Sequence, residues 1–192
     1  NYGGKIPDDI KPRLLKKVKM MFSTFGAFAA LLNDGHVFSW GETRVGNTSV
    51  TDIHFQLKDI KMVFSTSQAF AALFNDGYIF TWGESLYGGT IPRNINIQSS
   101  FKNIKTIVST VNAFAALWND GSVLTWGNEL FGGHIPDDIQ SELKKNVIMI
   151  FSTKYAFSAL LNDGRVFIWG QSFQGGTFST HIKTELLKNV KM

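Results

Sequence analysis

The chain has 192 residues, 44% of them apolar and 14% aromatic, with a formal net charge of +4 and no cysteine. That length can bury a full core as one domain, and the lack of cysteine excludes disulfides, thiolate metal sites and Cys nucleophiles while leaving the compartment open. No run approaches the roughly 18 uninterrupted apolar residues of a membrane-spanning helix, and the opening "NYGGKIPDDI" shows neither the charged start nor the apolar run of a signal peptide.

Taken from the start, "VKMMFST" at 18–24 is β-branched and aromatic enough for a strand closed by Ser-Thr. "AFAALL" at 27–32 and "HVFSW" at 36–40 flank "NDG", an arrangement that predicts a hairpin, because Gly35 (and less readily Asn or Asp) accepts the positive φ of such turns. Trp40-Gly41 ends this stretch. The same sentence then returns three times, with Gly77, Gly121 and Gly164 at the hairpins and with Trp82-Gly83, Trp126-Gly127 and Trp169-Gly170 at the ends. Paired glycines follow at 88–89, 132–133 and 175–176. "IPDDIQSELKKN" at 135–146 predicts a short helix, with Pro136 at its first position, Asp137 and Asp138 at the positive end of the dipole, and Lys144 and Lys145 at the negative end.

The repeat length is about 43 residues, which places repeats at 1–41, 42–83, 84–127 and 128–170. Residues 171–192 form the first half of a fifth, since "FQGGTFSTHIKTELLKNVKM" aligns with "NYGGKIPDDIKPRLLKKVKM" at 1–20. This phase predicts one repeat domain cut from a longer array. In "AFAALL" the alternation puts Phe28, Ala30 and Leu32 on one face and Ala27, Ala29 and Leu31 on the other. Both faces are apolar and both need cover, which radially stacked sheets supply to one another. The predicted fold is therefore mostly β, a propeller-like array of four repeats, each with three strands and a short outer helix, and incomplete as a ring. The alternative architecture is an open β-solenoid with helical corners.

The pattern AFAAL-x-NDG-x-V-x-TWG followed by a Gly-Gly turn resembles the tandem repeats of the regulator-of-chromosome-condensation family, which build a seven-bladed β-propeller. The likeness covers all four units. Two departures, shorter units and a helix in place of the family's outer strand and long loop, point to a divergent short-repeat form. The family's nucleotide-exchange activity implies an inserted wedge and surface residues that have no counterpart here, so no functional residue is carried over.

Chemistry is sparse by comparison. Trp40, Trp82, Trp126 and Trp169 recur in every unit and read as packing rather than ligand stacking. The "NDG" aspartates lack the oxygen array of a calcium loop. His36, His54, His134 and His181 fall in different phases with no ligand spacing. The Ser-Thr pairs have no adjacent base, and "YGGTIP" is no phosphate loop. The sequon at Asn47 reads as a chance match in a turn. No enzyme, cofactor, metal or small-molecule substrate is implied.

Lysines recur where helix passes into strand: Lys16, Lys17 and Lys19; Lys58 and Lys61; Lys102 and Lys105; Lys144 and Lys145; Lys188 and Lys191. One repeat phase maps to one rim, so these predict a basic arc, explained either by helix ends and solubility or by a polyanionic partner such as nucleic acid or an acidic surface. Four units close on themselves only with strong distortion, and open ends leave apolar faces that invite self-association. The leading expectation is a protein–protein interaction scaffold in a larger protein or assembly. Polyanion binding through the lysines comes second, and an exchange-factor-like role third, by family analogy alone.

Overall fold

Each copy of the repeated stretch folds as a three-stranded meander. The computed structural model describes residues 5–42, 57–92 and 103–177, with the backbone alone for Lys16 and Lys17. The first sheet is β1 (Val18–Ser23), β2 (Ala27–Leu32) and β3 (Val37–Gly41), and the second is β4 (Ile60–Ser65), β5 (Ala69–Phe74) and β6 (Ile79–Gly83). The third is β7 (Ile104–Ser109), β8 (Ala113–Trp118) and β9 (Val123–Gly127), and the fourth is β10 (Val147–Ser152), β11 (Ala156–Leu161) and β12 (Val166–Gly170). All four are antiparallel in chain order. The fold is thus mostly β, an array of four propeller-type blades. The chain divides into two units, Asn1–Lys102 with the first two sheets and Asn103–Met192 with the last two.

The register repeats from sheet to sheet. Ala27 faces Gly41 and Phe28 faces Trp40, just as Ala113 faces Gly127 and Phe114 faces Trp126. Those cross-strand partners are in ring contact, stacked at centroid distances of 5.8 Å for Phe28–Trp40, 5.1 Å for Phe70–Trp82 and 5.2 Å for Phe114–Trp126, and tilted at 5.6 Å for Phe157–Trp169.

The hairpin turns differ in detail from a two-residue turn. The amide of Gly35 reaches Leu32 O at 3.1 Å and the amide of Leu32 reaches His36 O at 2.8 Å, so Asn33, Asp34 and Gly35 form a three-residue loop. Glycine alone takes positive φ there, at 82°, 91°, 81° and 86° for Gly35, Gly77, Gly121 and Gly164. Asp34, Asp76, Asp120 and Asp163 keep negative φ, and each Oδ1 accepts the amide N–H two residues on.

The helix predicted over 135–146 is shorter than expected. It comprises α2 (Asp137–Gln140) and a 3₁₀ turn over Glu142–Lys144, and Pro136 stands one residue before it in an extended conformation. Four residues cannot hold a helix by backbone bonds alone; burial of Leu143 anchors the segment instead. In the first repeat the corresponding segment is α1 (Lys11–Lys17), which runs directly into β1. Residue 17 differs too: it is Lys where the other repeats have Asp or Asn. Asp59, Asn103 and Asn146 precede β4, β7 and β10 at φ of 62°, 76° and 71°, a left-handed conformation that Asn and Asp tolerate better than Lys.

Within each unit the facing sheet surfaces cover one another, as the alternation requires. In the first unit, Ala27, Ala29 and Leu31 pack against Ile60, Val63, Phe70, Ala72 and Trp82 of the second sheet. The opposite side of the first sheet, with Ala30, Leu32, Phe38 and Trp40, lies under Ile10, flanked by Ile6 and Leu14. In the second unit, Ala113, Ala115 and Leu117 pack against Ile150, Phe157, Ala159, Leu161 and Trp169, with Ile135 and Leu143 closing the edge.

Candidate functional site

Each blade has two ends. One carries the "NDG" hairpin; the other carries the Ser-Thr turn together with the stretch from Trp-Gly to Gly-Gly. At this second end the threonines are committed to turn geometry, since the hydroxyl oxygens of Thr24, Thr66, Thr110 and Thr153 each accept an amide N–H three residues on at 3.0 Å. Thr66 Oγ1 then donates to Tyr87 O at 2.8 Å and Thr110 Oγ1 to Phe131 O at 3.1 Å, strapping one loop to the other. The Trp169 indole N–H donates to Gly132 O at 3.1 Å. The four Trp-Gly tryptophans, Trp40, Trp82, Trp126 and Trp169, are buried. They are packing groups, and so are the glycines after them.

Gly127 has φ of 112°, and a Cβ there would stand 2.5 Å from Asn112 O and 2.8 Å from Ala113 Cα. Gly41, Gly83 and Gly170 meet the same crowding at 132°, 108° and 121°. No side chain fits where the strand leaves the sheet.

Between Trp-Gly and Gly-Gly the chain makes a 3₁₀ turn at Ser85–Tyr87, Glu129–Phe131 and Ser172–Gln174. The central residue of each is large, apolar and outward: Leu86 is 64% exposed, Leu130 74% and Phe173 99%. The sequence analysis does not single these out. Their signal is an apolar residue two places before each paired glycine, which three-residue turns hide from any periodicity test. Beside Leu130 in the second unit, Phe131 and Tyr155 are in ring contact at 5.6 Å and Lys154 lies over Tyr155 at 5.0 Å.

The hairpin end carries mixed charge. Lys19, Lys58, Lys61, Lys105, Lys144 and Lys145 are exposed. Lys105 Nζ donates to Ile148 O at 2.7 Å. Hydrogen bonds from the Ser122 hydroxyl and amide hold the Asp120 carboxyl below its ordinary pKa, with a smaller pull from the nearby Lys145 ammonium. Asp163 is lowered likewise by the Arg165 amide and guanidinium, while Arg165 also reaches Glu142 at 2.9 Å. Lys102, Lys188 and Lys191, the side chains of Lys16 and Lys17, and His54, His181 and Asn47 lie outside the described residues. His36 pairs with Asp34 at 3.1 Å and His134 stands 3.8 Å from Asp137. Among the described residues no group of three His, Asp or Glu side chains could hold a metal ion, and no helix is long and apolar enough to cross a membrane.

No protein-family model and no curated protein sequence matches the chain. Solved structures do. Yeast RCC1 (Prp20), crystallised bound to Kap60, superposes with a TM-score of 0.56 at 19% identity, over 87% of this chain and 45% of that one. Human WBSCR16 gives 0.53 at 20% identity, over 82% and 48%. The ectodomain of the receptor kinase CR4 from Physcomitrella patens gives 0.53 at 17%, over 79% and 40%. At these identities the likeness is one of fold. The resemblance drawn from the AFAAL-x-NDG and Trp-Gly pattern holds at the level of fold, and the chain spans about half the length of the structures it matches or less.

Proposed function

We propose that this chain is a non-enzymatic protein-interaction module whose partner binds the Ser-Thr and Trp-Gly end of the blades. One observation carries the reading. Three repeats present an exposed large apolar residue at the same turn, Leu86, Leu130 and Phe173, on loops braced in two repeats by Thr66 and Thr110. Rigidly held apolar side chains lose little entropy on binding and serve as anchors. Propellers of this fold bind proteins elsewhere: yeast RCC1 (Prp20) was crystallised bound to Kap60, and Prp20p has binding properties toward Gsp1p and histones. In this reading the four repeats belong to one repeat domain within a larger protein or assembly.

The second reading, a polyanion held by the lysines, rests on the exposure of Lys58, Lys61, Lys144 and Lys145. An exchange-factor-like role rests on fold likeness alone. Two variants separate the first two readings. In quantitative affinity capture from the native cell, a partner specific to the wild-type chain should be lost by L86S/L130S/F173S and kept by K58E/K61E/K102E/K105E. The reverse pattern rejects the apolar site in favour of the lysines.

A further inference from the structure

Granted that the Ser-Thr and Trp-Gly end is the interaction surface, a reading on which this inference rests, we propose that it takes a peptide segment interleaving large apolar side chains with Lys or Arg. The first unit brings the necessary groups together through its backbone. The Phe25 amide donates to Ser67 O at 2.6 Å. The neighbouring Thr66 hydroxyl donates to Tyr87 O at 2.8 Å, so one loop joins the turn of Phe25 to the turn of Leu86. Phe25 is 84% exposed, and Leu86 is exposed as well. Two carboxylates stand beside them at one repeat position. The amides of Glu42 and Glu84 donate to Gly26 O and Gln68 O at 2.8 and 3.0 Å, and a Cβ on Gly26 would lie 2.7 Å from Glu42 Oε2.

The second unit repeats the pattern and adds a cation to it. Glu129 and Leu130 are adjacent in one 3₁₀ turn, both exposed, and Phe173 projects from the next such turn. The Val111 amide donates to Lys154 O at 2.9 Å, joining the two Ser-Thr turns of this unit. The Lys154 ammonium lies over the Tyr155 ring, which in turn touches Phe131. Among the described residues, Lys154 is the one Lys or Arg at this end of the blades. It already occupies an aromatic face, where the ring quadrupole attracts a cation.

Charge therefore selects the occupant. In the first unit the described residues of this end carry Glu42 and Glu84 and no Lys or Arg, and in the second Glu129 stands with Lys154. The hairpin end differs, with Lys58 and Lys61 exposed in one unit and Lys144 and Lys145 in the other. An acidic segment at the turn end would meet like charge beside its apolar contacts, whereas a basic one meets carboxylates and aromatic rings. Each exposed ion pair changes the dissociation constant only about a few-fold. The apolar side chains still supply most of the affinity, and the carboxylates decide which partner is accepted.

The test uses the whole chain and three labelled peptides of equal length, alternating Leu with Arg, Leu with Glu, and Ser with Arg, read by fluorescence anisotropy. The Leu/Arg peptide should bind about tenfold or more tightly than either of the others. Glu84→Gln/Glu129→Gln removes one carboxylate from each unit and should raise its dissociation constant about threefold or more, with no loss for the Leu/Glu peptide. Lys154→Gln frees the Tyr155 face and should lower it about twofold or more. Lys58→Glu/Lys61→Glu, at the hairpin end, should leave it unchanged. A Leu/Arg peptide that binds no tighter than the Leu/Glu peptide overturns the proposal. So does a Glu84→Gln/Glu129→Gln protein, folded by circular dichroism, that binds it like wild type, or a wild type that binds none of the three. L86S/L130S/F173S then shows how far the failure reaches. If it weakens the peptides where the glutamine variant does not, the apolar surface stands and only its preference for cations falls; if it too has no effect, the turn end is not the binding surface.

Discussion

At the scale of single residues, the repeated sentence is written by backbone geometry more than by chemistry. Gly127 sits at φ of 112° with Asn112 O and Ala113 Cα where a methyl would go. Gly127→Ala therefore incurs both a left-handed backbone and a steric clash, and should lower stability by about 2–4 kcal/mol, read as a shift in the urea midpoint. The aspartates of the hairpins give a pH-dependent counterpart. Asp34, Asp120 and Asp163 are held below the ordinary carboxylate pKa, chiefly by the His36 amide, the Ser122 hydroxyl and the Arg165 amide respectively. A lowered folded-state pKa means stability that is present above the unfolded value and lost as pH falls through the folded one. The unfolding free energy should thus fall below about pH 4. Asp34→Asn/Asp120→Asn/Asp163→Asn should flatten that limb of the pH profile; an unchanged slope would show that these turns do not contribute to it.

At the scale of elements, the alanines of the central strands set how closely neighbouring sheets approach. Ala113 and Ala115 are fully buried against Phe157, Ala159 and Trp169, so no volume is spare between the third and fourth sheets. Ala115→Leu should destabilise the chain by about 1–3 kcal/mol through overpacking. Leu130→Ser, at an outward turn, should stay within about 0.5 kcal/mol of wild type, and paired denaturation curves compare the two. This layer was largely legible beforehand. The apolar alternation of "AFAALL" implies strands covered on both faces, and Asp-Gly implies the hairpins. What could not be read was short or tertiary. The 3₁₀ turns at Ser85–Tyr87 and Glu129–Phe131 contain too few residues for a period. The segment at 135–146 has helical composition, yet its length is decided by where Leu143 must be buried. Bare apolar faces at the ends of an open array are expected from the repeats, but that Val18, Met21 and Phe28 are the residues left exposed is not written in them, because all four sheets are written alike.

At the scale of the molecule, the question is whether a partner responds to apolar surface or to charge. A net charge of +4 is a weak long-range field, and at the hairpin end of the second unit the basic groups face acidic ones: Arg165 holds Asp163 and Glu142, and Lys145 acts on Asp120. Local neutralisation of this kind reduces the attraction available to a polyanion. The opposite end presents Leu130 and Phe173 with little charge beside them apart from Glu129 and Lys154. Binding there should be driven by removing apolar area from water, which salt does not screen. The dissociation constant of the captured partner should accordingly change less than about tenfold between 50 and 200 mM salt, against the 10³–10⁵-fold loss of a protein that neutralises many phosphates. Fluorescence anisotropy with the labelled chain measures it directly. A steep slope would place the contact on Lys58, Lys61, Lys144 and Lys145, and K58E/K61E/K144E/K145E would then have to abolish binding, while L86S/L130S/F173S left it intact.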